Sequence, residues 1–127
     1  MSIKSAKDLV AAANAAVAGA SVDEVAQLAG KDGVVFLDVR EPNEWQAGHV
    51  PGAVHVPRGL LEFKADPGLP AAHVKALDPA KKVVVYCASG GRSALAAKTL
   101  QDMGYPDVVN MQGGFGAWSQ AGKPVER

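Results

Sequence analysis

A parallel α/β fold is predicted by two features of the chain: short runs of β-branched and aromatic residues, and helix-forming stretches between them. The runs are Val34-Val35-Phe36-Leu37, Val54-His55-Val56, Val83-Val84-Val85-Tyr86 and Val108-Val109-Asn110, and each reads as a buried strand. Strands alternating with helices pair in parallel, and right-handed crossovers then place helices on both faces of the sheet. With 127 residues, 48% of them hydrophobic, the chain can bury one core, and no Ser/Pro/Gly-rich linker or long charge run divides it.

Lys4 and Lys7 precede an Ala-rich run ending in Val17-Ala18-Gly19-Ala20, a pattern superficially like a signal peptide. Asp8 and Asn14 interrupt the apolar stretch, however, and Leu9, Ala13, Ala16 and Val17 form one helical stripe, so a helix is expected. Residues 1–19 are therefore read as a helical extension and residues 20–127 as the main domain. Ser21-Val22-Asp23-Glu24 is a capping-box start for a short second helix that Gly30 stops. Glu41 to Gln46 predicts another short helix, with Pro42 in its first turn. Ser93 to Met103 predicts a longer one with Leu95, Thr99, Leu100 and Met103 on one face and Gly104 closing it. The excursion Leu60-Leu61-Glu62-Phe63 through Pro70 is longer than a tight turn requires. It is a candidate for shaping substrate entry, with Phe63 as a lining residue.

The 13 acidic and 13 basic residues balance, which argues against nucleic acid or an anionic membrane as the main partner. A single cysteine rules out an intrachain disulfide and a CxxC pair. His49, His55 and His73 lack metal-ligand spacing and are read in turn or loop contexts, so no metal is expected. No stretch is long and apolar enough to span a membrane, and a soluble cytoplasmic protein is the expectation.

Cys87 stands where the apolar run Val83 to Tyr86 gives way to Ala88-Ser89-Gly90-Gly91-Arg92-Ser93 and then to a helix. Lone cysteines are commonly buried, inert hydrophobes, a reading that accounts for the strand before Cys87 but not for the loop after it. Two glycines allow that loop to curl with its N–H groups inward, and the helix N-terminus adds the positive end of its dipole. Both favour a thiolate. Ligands of open parallel sheets bind at the carboxyl ends of the strands, and Cys87, Asp38 and Arg40 all fall at such ends.

Three blocks carry a family resemblance. Cys87 to Ser93 resembles the active-site loop of rhodaneses, sulfurtransferases that carry sulfur as a cysteine persulfide. The block from Phe36 through Asp38-Val39-Arg40-Glu41, Glu44-Trp45 and Gly48-His49-Val50-Pro51-Gly52-Ala53 is similar to that family's D-V-R-E-x-x-E-(aromatic)-x-x-G-H-I-P-G-A signature. Met111-Gln112-Gly113-Gly114-Phe115-Gly116-Ala117-Trp118 resembles its G-G-(aromatic)-x-x-W close. The blocks stand in the family's order, and the resemblance covers roughly residues 20 to 123. It implies a single-domain, three-layer rhodanese-like fold with a central five-stranded parallel sheet, and a two-step sulfur transfer without a cofactor.

Cys87 thiolate would take sulfane sulfur from a donor such as thiosulfate, with the N–H groups of Ala88, Ser89, Gly90, Gly91, Arg92 and Ser93 holding the persulfide anion. The acceptor must come from outside, because no second cysteine exists: cyanide in an assay, and a small thiol, a thioredoxin-like dithiol or a sulfur-accepting protein in a cell. Ser89 or Ser93 could add a hydroxyl hydrogen bond, or Ser93 could simply cap the helix. Arg92 either attracts the anionic donor or pairs with Asp38 to hold the loop, the structural role being favoured. Asp38 and Arg40 read as a bracing pair. Arg58 is the candidate donor-recognition charge, its alternative being an ordinary solvated arginine. Trp45 and Trp118 read as core or site-wall residues, and Gly113 and Gly114 as turn residues. A phosphatase or arsenate reductase is the enzymatic rival, but C-x4-R is one residue shorter than the phosphatase-type loop, and arsenate reduction commonly draws on further thiols. A non-catalytic rhodanese-like module is the other rival.

Overall fold

Strands buried on both faces build the molecule, which we describe from a computed structural model over residues 2–127. Strands β2 (Val34–Asp38), β3 (Val54–His55), β4 (Lys82–Tyr86) and β5 (Val108–Met111) form where the apolar runs predict them. A further strand, β1 (Ala18–Ala20), completes a five-stranded sheet of order β1-β5-β4-β2-β3, and every pairing is parallel. Successive β4 side chains serve opposite faces. Val83 and Val85 join Leu37, Val39, Leu61, Ala97 and Leu100 on one side, while Val84 and Tyr86 join Val25, Phe36, Met111 and Trp118 on the other, which is the period-two geometry of a sheet buried on both faces.

Helices α1 (Ala6–Ala16), α2 (Val22–Ala26), α3 (Pro42–Ala47), α4 (Leu61–Lys64), α5 (Gly91–Met103) and α6 (Gly114–Gln120) complete the layers. Ser5 and Ser21 each close a reciprocal capping box, with Asp8 and Glu24 respectively, so both helix starts are encoded locally. Pro42 sits in the first turn of α3, and Gly104 ends α5 in the left-handed region, where a glycine carries no Cβ penalty.

Four sequence-based expectations need correction. The helix at the amino end stops at Ala16, and residues 18–20 are extended: Ala18 to Ala20 pair with Val109 to Met111. Small residues carry little strand preference of their own, so the exposed edge of β5 decides their conformation. A boundary after residue 19 thus falls inside the sheet, and α1 packs against α5. In α5 the buried positions are Ser93, Ala94, Ala96, Ala97 and Leu100, whereas Met103 is exposed and Leu95 and Thr99 are half-buried. Of the expected stripe only Leu100 is buried, and the small residues Ser93, Ala94, Ala96 and Ala97 supply the rest of the buried face. Gly114 opens α6 where only a turn was expected, and α4 interrupts the excursion after β3. His55 lies in β3, as the run Val54-His55-Val56 predicts, and not in the turn or loop context read for the three histidines.

Candidate active site

Cys87 directly follows the last residue of β4, and its buried side chain accepts two hydrogen bonds from its own loop. Gly90 N–H donates to Sγ at 3.1 Å and the Ser93 hydroxyl donates at 3.4 Å. Gly90 is the residue that lets the chain turn back on the sulfur: it has φ of 117° and is the N-cap of α5, a conformation L side chains rarely adopt. Burial pushes the thiol pKa up, but the Ser93 hydroxyl and the N–H groups of Ser93, Gly90 and Ser89 outweigh it, so the thiol lies below its ordinary range. Ser93 is thereby assigned: it is the third residue of α5, not its cap, and its hydroxyl faces the sulfur.

The carbonyls of the loop are held on its other side. Phe115 N–H donates to Cys87 O at 2.7 Å and Gly116 N–H to Ala88 O at 3.0 Å, so the start of α6 holds both carbonyls. A Cβ on Gly114 would stand 2.6 Å from the Cys87 and Ala88 carbonyl oxygens. Gly114 is therefore a close-approach position, and the last of the three sequence blocks acts on the first by clamping its backbone.

Two arginine–carboxylate pairs stand near the loop, and of the two only the partner of Arg92 departs from the expectation. Arg40 Nη2 donates to Asp38 Oδ2 at 2.7 Å and also to the Gly48 carbonyl, with Nε on the same carboxylate. Its guanidinium carbon lies 4.4 Å from the Phe115 ring centroid. Burial opposes the Arg40 charge, yet the Asp38 hydrogen bonds prevail and raise its pKa. Asp38 is thus fully engaged, and Arg92 pairs instead with Glu44, in a bidentate contact at 2.8 and 3.0 Å. That contact holds the Glu44 carboxyl down at about 2 against the smaller opposing effect of burial. The reason is topological: α3 brings Glu44 beside the start of α5, whereas Arg40 folds back onto Asp38 two residues earlier. Glu44 was legible in the D-V-R-E-x-x-E block, but nothing in the sequence says which acid meets Arg92.

Arg58 is not brought to the loop. Its guanidinium donates to Glu62 Oε1 at 3.1 Å and to Thr99 Oγ1 at 3.0 Å, roughly two turns along α5 from the sulfur. Phe63 is exposed and Trp118 is core. Trp45 stacks with both His49 and His55, with ring centroids 3.4 and 4.8 Å away. Among the described residues, no group of three or more His, Cys, Asp or Glu side chains is arranged to hold a metal ion.

The family model of the rhodanese-like domain matches residues 21–121. This chain belongs to the rhodanese-like family. Among its curated relatives are the thiosulfate sulfurtransferase GlpE of Pseudoalteromonas translucida, 32% identical over 84% of this chain and 94% of that protein, and a sulfurtransferase of Allochromatium vinosum, 32% identical over 78% of this chain and 84% of that protein. Among solved structures, a protein of unknown function from Rhodopseudomonas palustris, described as a possible tyrosine phosphatase, is 41% identical with a TM-score of 0.92, covering 99% of this chain and 98% of its own. A thiosulfate sulfurtransferase from Pseudomonas aeruginosa is 28% identical with a TM-score of 0.76, covering 96% of this chain and 22% of its own. These rhodanese-like neighbours share the five-stranded parallel architecture, and the likeness to the first extends over α1 and β1 as well.

Proposed function

We propose that this protein is a sulfurtransferase that carries sulfane sulfur on Cys87. The observation that carries the reading is the cradle at Sγ, where Gly90 N–H and the Ser93 hydroxyl both donate to a thiol whose pKa is lowered. Such a cradle suits a one-atom anion better than a larger group. With thiosulfate as donor, the Cys87 thiolate attacks the outer sulfur, the bond between the two sulfur atoms of thiosulfate breaks, and sulfite leaves with the electron pair. The persulfide anion then inherits the N–H and hydroxyl donors as a preorganised electrostatic site. An external nucleophile, cyanide in an assay and a thiol or protein acceptor in a cell, takes the outer sulfur and returns the Cys87 thiolate. Ala88, Ser89, Gly91 and Arg92 shape this loop, while Asp38 and Arg40 brace the strand end beside it. A compartment that keeps thiols reduced, such as the cytoplasm, suits a free nucleophilic cysteine.

The phosphatase description of one structural neighbour supplies a second reading, and the site argues against it here. A phosphate would need more than one atom's width of cradle and a free guanidinium, whereas the loop is C-x4-R and Arg92 is committed to Glu44. One experiment addresses both. Purified protein is expected to form thiocyanate from thiosulfate and cyanide, to lose that activity in Cys87→Ala, and to leave p-nitrophenyl phosphate intact. Cys87-dependent hydrolysis of the phosphate ester without thiocyanate formation would reverse the assignment.

A further inference from the structure

A cleft of about 360 Å³ opens beside the sulfur loop, walled by Asn14 of α1, Gly19 of β1, Asn110, Gln112, and Ser89 and Gly90 of the loop itself. Its volume falls in the range of small-molecule sites. Every residue that lines it is uncharged, although charged side chains are one fifth of the chain. Gly90 belongs both to this wall and to the sulfur cradle, where its N–H donates to Sγ. Asn14, Val17 and Gly19 in the wall lie outside the matched family region of residues 21–121, so the cleft exists because the α1–β1 segment is folded against the loop.

Asn110 is the informative wall residue. It is only 4% exposed, and its Nδ2 donates to Asn14 Oδ1 at 3.4 Å and to Gly90 O at 3.3 Å. Its Oδ1 is, among the described residues, the one buried side-chain polar atom without a hydrogen-bond partner. A buried acceptor without a donor is unfavourable and uncommon. Turning the Asn110 amide toward the cleft would let a ligand N–H satisfy it. The side-chain amides of Asn14, Asn110 and Gln112 each combine donors with an acceptor, and the group that complements such a wall is another amide. A peptide backbone offers N–H and C=O in that combination without bringing a charge that the wall cannot pair.

We propose that this cleft seats the sulfur acceptor, and that the acceptor is an uncharged, amide-bearing thiol: a cysteine within a peptide. The proposal rests on the sulfurtransferase reading and names its second substrate. In the step it serves, the acceptor thiolate attacks the outer sulfur of the Cys87 persulfide. A sulfur–sulfur bond forms on the acceptor, the bond from the outer sulfur to Sγ breaks, and Cys87 leaves with the electron pair as thiolate. Sulfur moves at its own oxidation level, so no oxidant or reductant is required.

The test compares N-acetylcysteinamide, an uncharged peptide thiol, with cyanide as acceptors for thiosulfate-derived sulfur, in wild-type protein and in Asn14→Ala/Gln112→Ala. Both substituted side chains belong to exposed residues, so the fold is not at stake. A lost neutral hydrogen bond is worth a factor of ~2–10. The ratio of kcat/KM for the peptide thiol to that for cyanide is expected to fall about tenfold in the double variant. A ratio unchanged within about twofold would overturn the proposal. A second readout needs no turnover: titration of S-methyl-N-acetylcysteinamide should shift the side-chain amide resonances of Asn14, Asn110 and Gln112, and an absence of shifts overturns the proposal even if transfer to cyanide is rapid. A wild-type protein that makes no thiocyanate removes the sulfurtransferase reading instead, so the two failures are distinguishable. A longer peptide with one cysteine identifies the source: a KM below that of the blocked residue assigns a protein acceptor, and an equal KM assigns a small thiol.

Discussion

Asp38 and Arg40 pair where water does not reach them, their side chains 0% and 5% exposed, whereas Glu44 and Arg92 pair at the surface with 29% and 40% exposure. Both are arginine–carboxylate forks, and both stand near the loop that carries Cys87. They differ in what holds them and in what they can do. The buried pair is wrapped by the Gly48 carbonyl and the Phe115 ring, so neither partner has anywhere else to place its charge. In the outer pair each group can exchange its partner for water, which screens the attraction. The comparison assigns stability to the inner pair and a loop-fastening role of small energy to the outer one, while the Sγ donors act on the chemistry.

The largest effect is expected from breaking the inner pair. Asp38→Asn leaves the Arg40 charge buried without its counter-ion, a defect that typically destabilises by ~3–5 kcal/mol. Urea unfolding should register that loss in the midpoint, and a decrease below about 1 kcal/mol would show that the pair is not confined as described.

Ser93→Ala sharpens the assignment of thiolate stabilisation to the loop. Its hydroxyl is the foremost of the donors that lower the Cys87 pKa, so removing it should move the alkylation profile to higher pH and slow iodoacetamide reaction at pH 7 by ~10-fold, the scale of a hydrogen bond to a charged group. The sign of the linked stability follows from the lowered folded pKa. The stabilisation is fully present above the ordinary thiol value near ~8.5 and is lost as pH falls through the folded value, so the variant should differ more from wild type at pH 10 than at pH 5. An unchanged alkylation profile would move the credit from Ser93 to the backbone alone.

The smallest effect belongs to the outer pair. Glu44→Gln should cost under about 1 kcal/mol at neutral pH. Because the folded carboxyl is lowered from 4.5 to about 2, the pair's contribution is complete above pH 4.5 and fades as pH falls towards 2. Unfolding of the wild type and the variant across that window should therefore converge at the acid end. A gap that persists at pH 2 would mean that packing, not charge, holds Glu44 against Arg92.

The comparison also shows where sequence stops informing. Cys87, the glycines after it and the strand before it announced a thiolate loop because strand propensity, glycine flexibility and helix polarity are local properties. The capping box at Ser21 was legible for the same reason. Arg92 was visible as a charge, but its partner was not: Asp38 and Glu44 are both acids in one block, and only the path of α3 decides which reaches α5. Arg58 illustrates the converse, a conspicuous cation after a strand end that turns to Glu62 and Thr99. Gly114 looked like a turn residue because nothing local reveals that the Cys87 and Ala88 carbonyls would press on it.

What the amino-acid order determined by itself is the class of fold, four of the five strands, the starts of α2 and α3 and the candidate nucleophile, since each depends on residues within a few positions of one another. Tertiary structure alone decided that Ala18 to Ala20 become the edge strand, that Arg92 takes Glu44 as its acid, and that the α1–β1 segment and Asn110 wall a cleft beside the sulfur loop. Those outcomes depend on pairings between residues tens of positions apart, where small residues without conformational preference and charges with several possible partners take whatever the packed sheet offers them.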